Sequence, residues 1–227
     1  MSVNDFKYIL NECKLNGYNH IGLTPRNGEL LSGPEWVNIL DILENDEEII
    51  SYHFFTNSIF LSDKFFNVFK KYKKCKLYIS LNGSTSEEFM LLNNIKDSKG
   101  FDKSIKTILR NITLIKKVFL KTSKSNMITK MLYSTDKVYP VNYMNNWAGK
   151  INGTPLKDRK NFLVNGCSVL KEKNMISVDG DFLLCGCRDL EGETKIGNIF
   201  KTALDEILKS KEYYITPKIC SRCTGAQ

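Results

Sequence analysis

Ile176-Ser-Val-Asp-Gly-Asp-Phe-Leu-Leu-Cys-Gly-Cys187 is the stretch from which the rest of the sequence can be read. Two short apolar runs flank Asp179-Gly180, the commonest short hairpin signal, so the spacing predicts two strands that run into a pair of cysteines. Upstream lies Asn165-Gly166-Cys167, and downstream Cys220-Ser-Arg-Cys223, which completes the pattern C-x17-C-x-C-x32-C-x2-C. Thiolates a few residues apart in a turn can face one metal centre, and a hairpin carries a distant thiolate to the same point. Four of Cys167, Cys185, Cys187, Cys220 and Cys223 would hold either a zinc ion or an iron–sulfur cluster, and spacing alone does not choose between them. Separate buried thiols and disulfides are the competing readings. The odd cysteine count and the lack of signal-peptide features weigh against disulfides, and Cys13 and Cys75 sit in apolar helical or strand contexts as packed thiols.

Outward from that tail, the composition is that of an ordinary globular chain, with 42% hydrophobic and 26% charged residues over 227 positions. This length accommodates one main domain and an appendage. No apolar run reaches membrane-spanning length and Met1-Ser-Val-Asn-Asp has no targeting character, so the expectation is a cytoplasmic protein without a membrane partner. The net charge of +8 comes from 33 cations, of which 28 are lysines scattered along the chain. The run Lys70-Lys71-Tyr72-Lys73-Lys74 falls at the end of an expected helix, where cations are favourable, and a nucleic-acid partner is not expected.

Between the amino terminus and residue 150 the sequence alternates. An amphipathic helix over Asp5 to Asn16 is stopped by Gly17, and a short strand follows over His20 to Thr24. Helices are expected over Pro34 to Leu43, Ser62 to Tyr72, Glu87 to Ile95 and Phe101 to about Ile112, with strands over Ile49 to Thr56 and Lys76 to Ser80 between them. Leu114 to Leu120 and Val138 to Tyr143 read as further strands, with a helix around Met127 to Tyr133, and the polar stretch from Asn145 to Asp158 reads as a linker. Strand, loop and helix repeated at this interval argue for parallel βαβ units in a barrel or open α/β sheet. Ligands of such sheets sit at the carboxyl ends of the strands, here Thr24 to Glu29, Thr56-Asn57 and Ser80-Leu-Asn82-Gly83. His20 and His53 both fall inside expected strands and read as packed, hydrogen-bonded residues.

Those residues carry a resemblance. Leu23-Thr-Pro-Arg-Asn-Gly28-Glu29 is similar to the Gly-Glu strand end of the radical S-adenosylmethionine (SAM) enzymes, and Phe55-Thr56-Asn57 and Ile79-Ser80-Leu-Asn82-Gly83 resemble the two strand ends that follow it. The tail, with Cys167, Asp179-Gly180-x4-Cys185, Ile196-Gly-Asn-Ile199 and Cys220-x2-Cys223, resembles the SPASM or twitch extension of that superfamily. The resemblance implies an α/β fold, a partial (β/α) radical-SAM-type barrel over residues 1–150 followed over 151–227 by a small cysteine-rich domain with a hairpin and a helix. It further implies that Gly28, Glu29, Asn57, Ser80 and Asn82 contact SAM. Cys167, Cys185, Cys220 and Cys223 would ligate one auxiliary [4Fe-4S] cluster, with Cys187 as the thiol that can stand in for Cys185.

The family departs from this sequence at one place that decides the chemistry. Its SAM-binding cluster needs a Cys-x3-Cys-x2-Cys loop, which these 227 residues do not contain, so the expectation is a barrel truncated at its amino end. The resemblance therefore implies SAM-dependent radical chemistry once a cluster-binding segment is supplied. The partners it implies are a peptide or small-molecule substrate, an electron donor and a complementing radical SAM segment. The alternative is a non-catalytic iron–sulfur or zinc-binding partner protein.

Overall fold

Strand-to-strand crossovers through helices force parallel pairing, and residues 19 to 143 realise that pattern. A computed structural model describes residues 1–25, 28–97, 99–121, 137–141, 170, 173–186, 189, 191–211, 217 and 219–220. The chain divides into two compact units, one spanning Asn19–Tyr143 and the other joining Met1–Tyr18 to Met144–Gln227. The boundary expected at residue 150, the linker and the helix around Met127 lie outside the described residues. Among the described residues no helix is long and apolar enough to cross a membrane.

In the first unit, β1 (His20–Gly22), β2 (Ser51–Thr56), β3 (Cys75–Asn82), β4 (Ile115–Lys121) and β5 (Val138–Val141) form one sheet in sequential order, every pair parallel. Sequential order with right-handed crossovers sets the connecting helices on one face, the wall of a (β/α) barrel rather than a doubly wound sheet. Alternation follows from this. Tyr52, Phe54 and Thr56 of β2 are buried, as are Leu77, Ile79 and Leu81 of β3, while the residues between them are half-buried on the opposite face. After α1 (Val3–Leu15), the helices α2 (Trp36–Asn45), α3 (Asp63–Phe69), α4 (Ser86–Asn93) and α5 (Lys99–Arg110) occupy the intervals between strands. Phe54 meets Phe65 and Phe69 of α3 edge to face at 6.4 Å, and the Tyr52 hydroxyl donates to Glu44 of α2 at 2.9 Å. Glu44 also takes the backbone N–H of Lys73 at 2.6 Å, so the lysine run is anchored by its main chain. Serine and threonine at the helix starts supply the caps. Ser62 Oγ accepts from Phe65 at 3.1 Å and Thr85 Oγ1 from Glu88 at 3.2 Å.

The second unit is built on an antiparallel sheet of β6 (Met175–Ile176), β7 (Asp181–Leu183) and β8 (Lys195–Asn198), followed by α6 (Leu204–Lys211). The hairpin between β6 and β7 is wider than a two-residue turn. Ser177 N–H donates to the Asp181 carbonyl at 2.8 Å and Gly180 N–H to the Ser177 carbonyl at 3.0 Å, leaving three residues in the loop with Gly180 at φ +81. A type I turn closed by a left-handed glycine gives this arrangement. Gly197 lets α6 approach β8, because a Cβ there would stand 2.9 Å from Ile207 Cγ1.

The core of this unit contains α1. Ile9 clusters with Phe182, Ile199, Leu204 and Ile207, and Cys13 and Tyr18 pack against the same group. Tyr8 donates its hydroxyl to the Ile199 carbonyl at 3.2 Å, and Glu12 Oε2 accepts the Leu204 N–H at 3.2 Å, capping the first turn of α6. The helix itself is held by a capping box between Ser2 and Asp5 and ends at Asn16.

Candidate functional site

Parallel strands deliver their carboxyl ends to one edge, so the loops after β1, β2 and β3 of the first unit meet there. Gly28 is exposed at φ +86 and leads into Glu29, which caps a 3-10 turn over Leu30–Ser32. The Glu29 carboxylate joins two loops. Its Oε1 accepts the Leu31 N–H at 3.4 Å and its Oε2 accepts the Asn57 N–H at 2.9 Å. Glu29 is therefore a brace between the end of β2 and the loop after β1. Asn57 uses its own Oδ1 to accept the Ile59 N–H at 3.1 Å, and its Nδ2 has no partner among the described residues.

Thr56 lies level with Ile79, which puts Ser80 beside the end of β2 and Asn82 two residues further along the edge. Asn82 Nδ2 donates to Asn93 Oδ1 at 3.2 Å, and Asn93 in turn donates to the Phe89 carbonyl at 2.9 Å, so Asn82 is tied to α4. Behind this edge, on the face away from the buried strand residues, four rings form a floor that the sequence reading did not single out. Phe55 stacks on Tyr78 at 4.9 Å, Phe119 lies 5.7 Å from Phe55 and 6.1 Å from Tyr78, and His53 stands edge-on to Tyr78 at 5.6 Å. The signal for it was the period-two alternation of His53 and Phe55 with Tyr52 and Phe54. His20 is exposed and its Nδ1 lies 2.8 Å from Ser51 Oγ.

Of the cysteines, the structure describes Cys185 and Cys220 in the second unit, while Cys167, Cys187 and Cys223 lie outside the described residues. Cys185 follows β7 with 7% of its surface exposed, and Cys220 has 9% and packs with Ile219 and Leu170. The residue between Cys185 and Cys187 has to be glycine, because a Cβ on Gly186 would fall 2.1 Å from Met175 Sδ. That close seat holds the backbone just after Cys185 against β6. Among the described residues no group of three or more His, Cys, Asp or Glu side chains converges. Two buried thiols in a unit whose other cysteines flank them fit a soft, thiolate-held centre.

The remaining thiols behave as packed residues. Burial, reinforced by Glu12, pushes the Cys13 thiol up from 9.0 to about 11, and burial likewise raises Cys75.

Residues 167–224 match the SPASM family, an iron–sulfur cluster-binding domain. The structure is similar to BtrN in complex with AdoMet and 2-DOIA, with a TM-score of 0.58 at 14% identity, covering 91% of this chain and 69% of that one. It is also similar to SuiB of Streptococcus suis bound to S-adenosylmethionine, with a TM-score of 0.54 at 15% identity over 99% of this chain. SuiB bound to the precursor peptide SuiA gives the same TM-score at 14% identity. The chain spans 63% of the SuiB chain. No curated protein matches it. The molecule is an α/β protein of the radical SAM fold class. Its second unit carries the match of residues 167–224 to an iron–sulfur cluster-binding domain.

Proposed function

We propose that the second unit holds one auxiliary [4Fe-4S] cluster through Cys167, Cys185, Cys220 and Cys223, with Cys187 beside Cys185 as the alternative ligand, and that the first unit binds SAM along its carboxyl edge. The observation that carries the reading is the match of residues 167–224 to an iron–sulfur domain in a unit where Cys185 and Cys220 are both buried. At the edge, Gly28 leaves the backbone open to a close-lying ligand, Asn57 Nδ2 and the Ser80 hydroxyl offer a donor and a donor-acceptor, and Glu29 and Asn82 hold the loops that carry them. A bound cluster supplies one-electron chemistry and a site that anchors substrate. Radical chemistry on SAM would draw on a three-thiolate segment from outside these 227 residues. The substrate is proposed to be a peptide, by analogy with the SuiA peptide bound to SuiB.

Anaerobic reconstitution with iron and sulfide tests the metal part. The expected product is brown, holds about four irons and four sulfides per chain, and absorbs broadly near ~400 nm. A colourless protein that takes up one zinc and no iron would overturn it. Titration of SAM into the reconstituted protein tests the edge separately, with Asn57→Ala and Ser80→Ala expected to weaken binding and Glu29→Ala to weaken it further by releasing the loop.

A further inference from the structure

Asp189 is fully buried, and the structure gives it a full complement of donors. Its Oδ1 accepts the Glu193 N–H at 2.8 Å, and its Oδ2 accepts both the Thr194 N–H at 2.7 Å and the Thr194 hydroxyl at 2.6 Å. A buried carboxylate is sustained only by such bonds, so this one holds the main chain of Glu193 and Thr194 to itself.

The polarity of the next contact follows. The Thr194 hydroxyl has a single proton, and that proton goes to Asp189, so the oxygen is left to act as an acceptor. It accepts the Cys185 N–H at 3.1 Å, and the Thr194 carbonyl accepts the Leu184 N–H at 3.1 Å. A chain of two bonds thus runs from a buried charge to the main chain of a candidate ligand cysteine, with both donors pointing toward the carboxylate.

We propose that Asp189, acting through Thr194, is the positioning residue of the metal centre in the second unit: it fixes the Cys185 main chain and sets the electrostatics the centre experiences. This rests on the cluster reading given above. Two consequences follow for the ligand. The Cys185 N–H is engaged by Thr194 and is withheld from cluster sulfur, and a fixed negative charge lies two hydrogen bonds from the ligand residue. Both favour the more oxidised state of an iron–sulfur centre, because hydrogen bonds to sulfur and the loss of nearby negative charge raise the reduction potential.

The experiment uses the full chain, reconstituted anaerobically, in four forms: unaltered, Asp189→Asn, Thr194→Val and Thr194→Ser. Iron release to a chelator, the reduction potential and alkylation of Cys185 before reconstitution are measured on each, with circular dichroism as the control for folding. Asp189→Asn and Thr194→Val are expected to lose iron about tenfold to a hundredfold faster, to shift the potential upward, and to expose Cys185 to alkylation. Thr194→Ser keeps the hydroxyl and is expected to match the unaltered protein in all three. Release rates, potential and alkylation that are the same in all four forms would overturn the proposal, as would Thr194→Ser behaving like Thr194→Val. If the unaltered protein takes up no iron, the cluster reading itself fails. In that case, faster Cys185 alkylation in Asp189→Asn alone would retain the positioning of Cys185, and unchanged alkylation would remove that too.

Discussion

Ser58 stands next to Asn57 at φ +73, its side chain fully buried and its Oγ without a partner among the described residues. A left-handed backbone costs a non-glycine residue about 1–2 kcal/mol, and a buried hydroxyl without a bond costs about 1–3 kcal/mol more. Ser58→Gly removes both terms and adds back the larger backbone entropy of glycine, about 0.5–1 kcal/mol. The expected net gain is about 1–4 kcal/mol, read as a higher urea midpoint at unchanged slope. A lower midpoint would show that the hydroxyl has a bond worth more than the strain. Strain concentrated at the candidate ligand edge is in keeping with a backbone shaped for binding rather than stability. Cys13 gives a second test at this scale. Its thiol titrates at about 11 in the folded protein against 9.0 ordinarily, so the folded state keeps a proton that the unfolded chain loses. That contribution to stability is complete below pH 9.0 and is lost as pH rises through about 11. Cys13→Ala is expected to make the fall in stability over that interval shallower, and an equally steep fall in the variant would assign it entirely to other groups, such as Cys75 and the buried tyrosines.

At the scale of elements, α1 serves the second unit through one apolar residue and one carboxylate. Ile9→Ala leaves a hole among Phe182, Ile199, Leu204 and Ile207 and is expected to cost about 2–4 kcal/mol. Glu12→Ala uncaps α6 at Leu204 and is expected to cost about 1 kcal/mol. Both are measured by denaturant unfolding, and a loss below about 0.5 kcal/mol for Ile9→Ala would mean that the helix is only loosely seated. This contact also marks the limit of what sequence shows. The helix was legible, because Phe6, Ile9, Leu10 and Cys13 repeat at helical spacing and Gly17 follows. Its place was not, because periodicity identifies an apolar face but not what covers it. The strands of the parallel sheet were legible to within a few residues, since β-branched and aromatic runs bounded by turn residues leave few alternatives. β8 was missed: Lys195–Asn198 is four residues long and contains Gly197, which lowers strand character but is required by the approach of Ile207. At the candidate site, the polar strand ends and the cysteine pattern could be read directly. The Glu29 brace and the Asp189 relay could not, because each depends on a side chain reaching backbone that only the fold brings near.

Taken as a whole molecule, the second unit is discontinuous, with its core assembled from the first eighteen residues and the last third of the chain. The sheet of residues 19–143 is inserted between these two parts of one core, and contacts across so long a separation form late and slowly in folding. The hairpin, β8 and α6 can form local structure on their own, but without α1 the surfaces of Phe182, Ile199, Leu204 and Ile207 lose the residue that packs on them and α6 loses its cap. Among the described residues of this unit, a three-stranded sheet with strands of two to four residues and one short helix has little other apolar area to bury. Residues 144–227 produced alone are therefore expected to unfold without a cooperative transition and to lose iron rapidly after reconstitution, whereas the same segment with residues 1–18 joined ahead of it is expected to regain both a sigmoidal transition and retention of iron. A sigmoidal transition in the isolated segment, equal in midpoint to that of the joined form, would show that α1 decorates this unit rather than completing it. Loss of iron in both forms despite restored cooperativity would instead place the requirement for metal retention in residues 19–143.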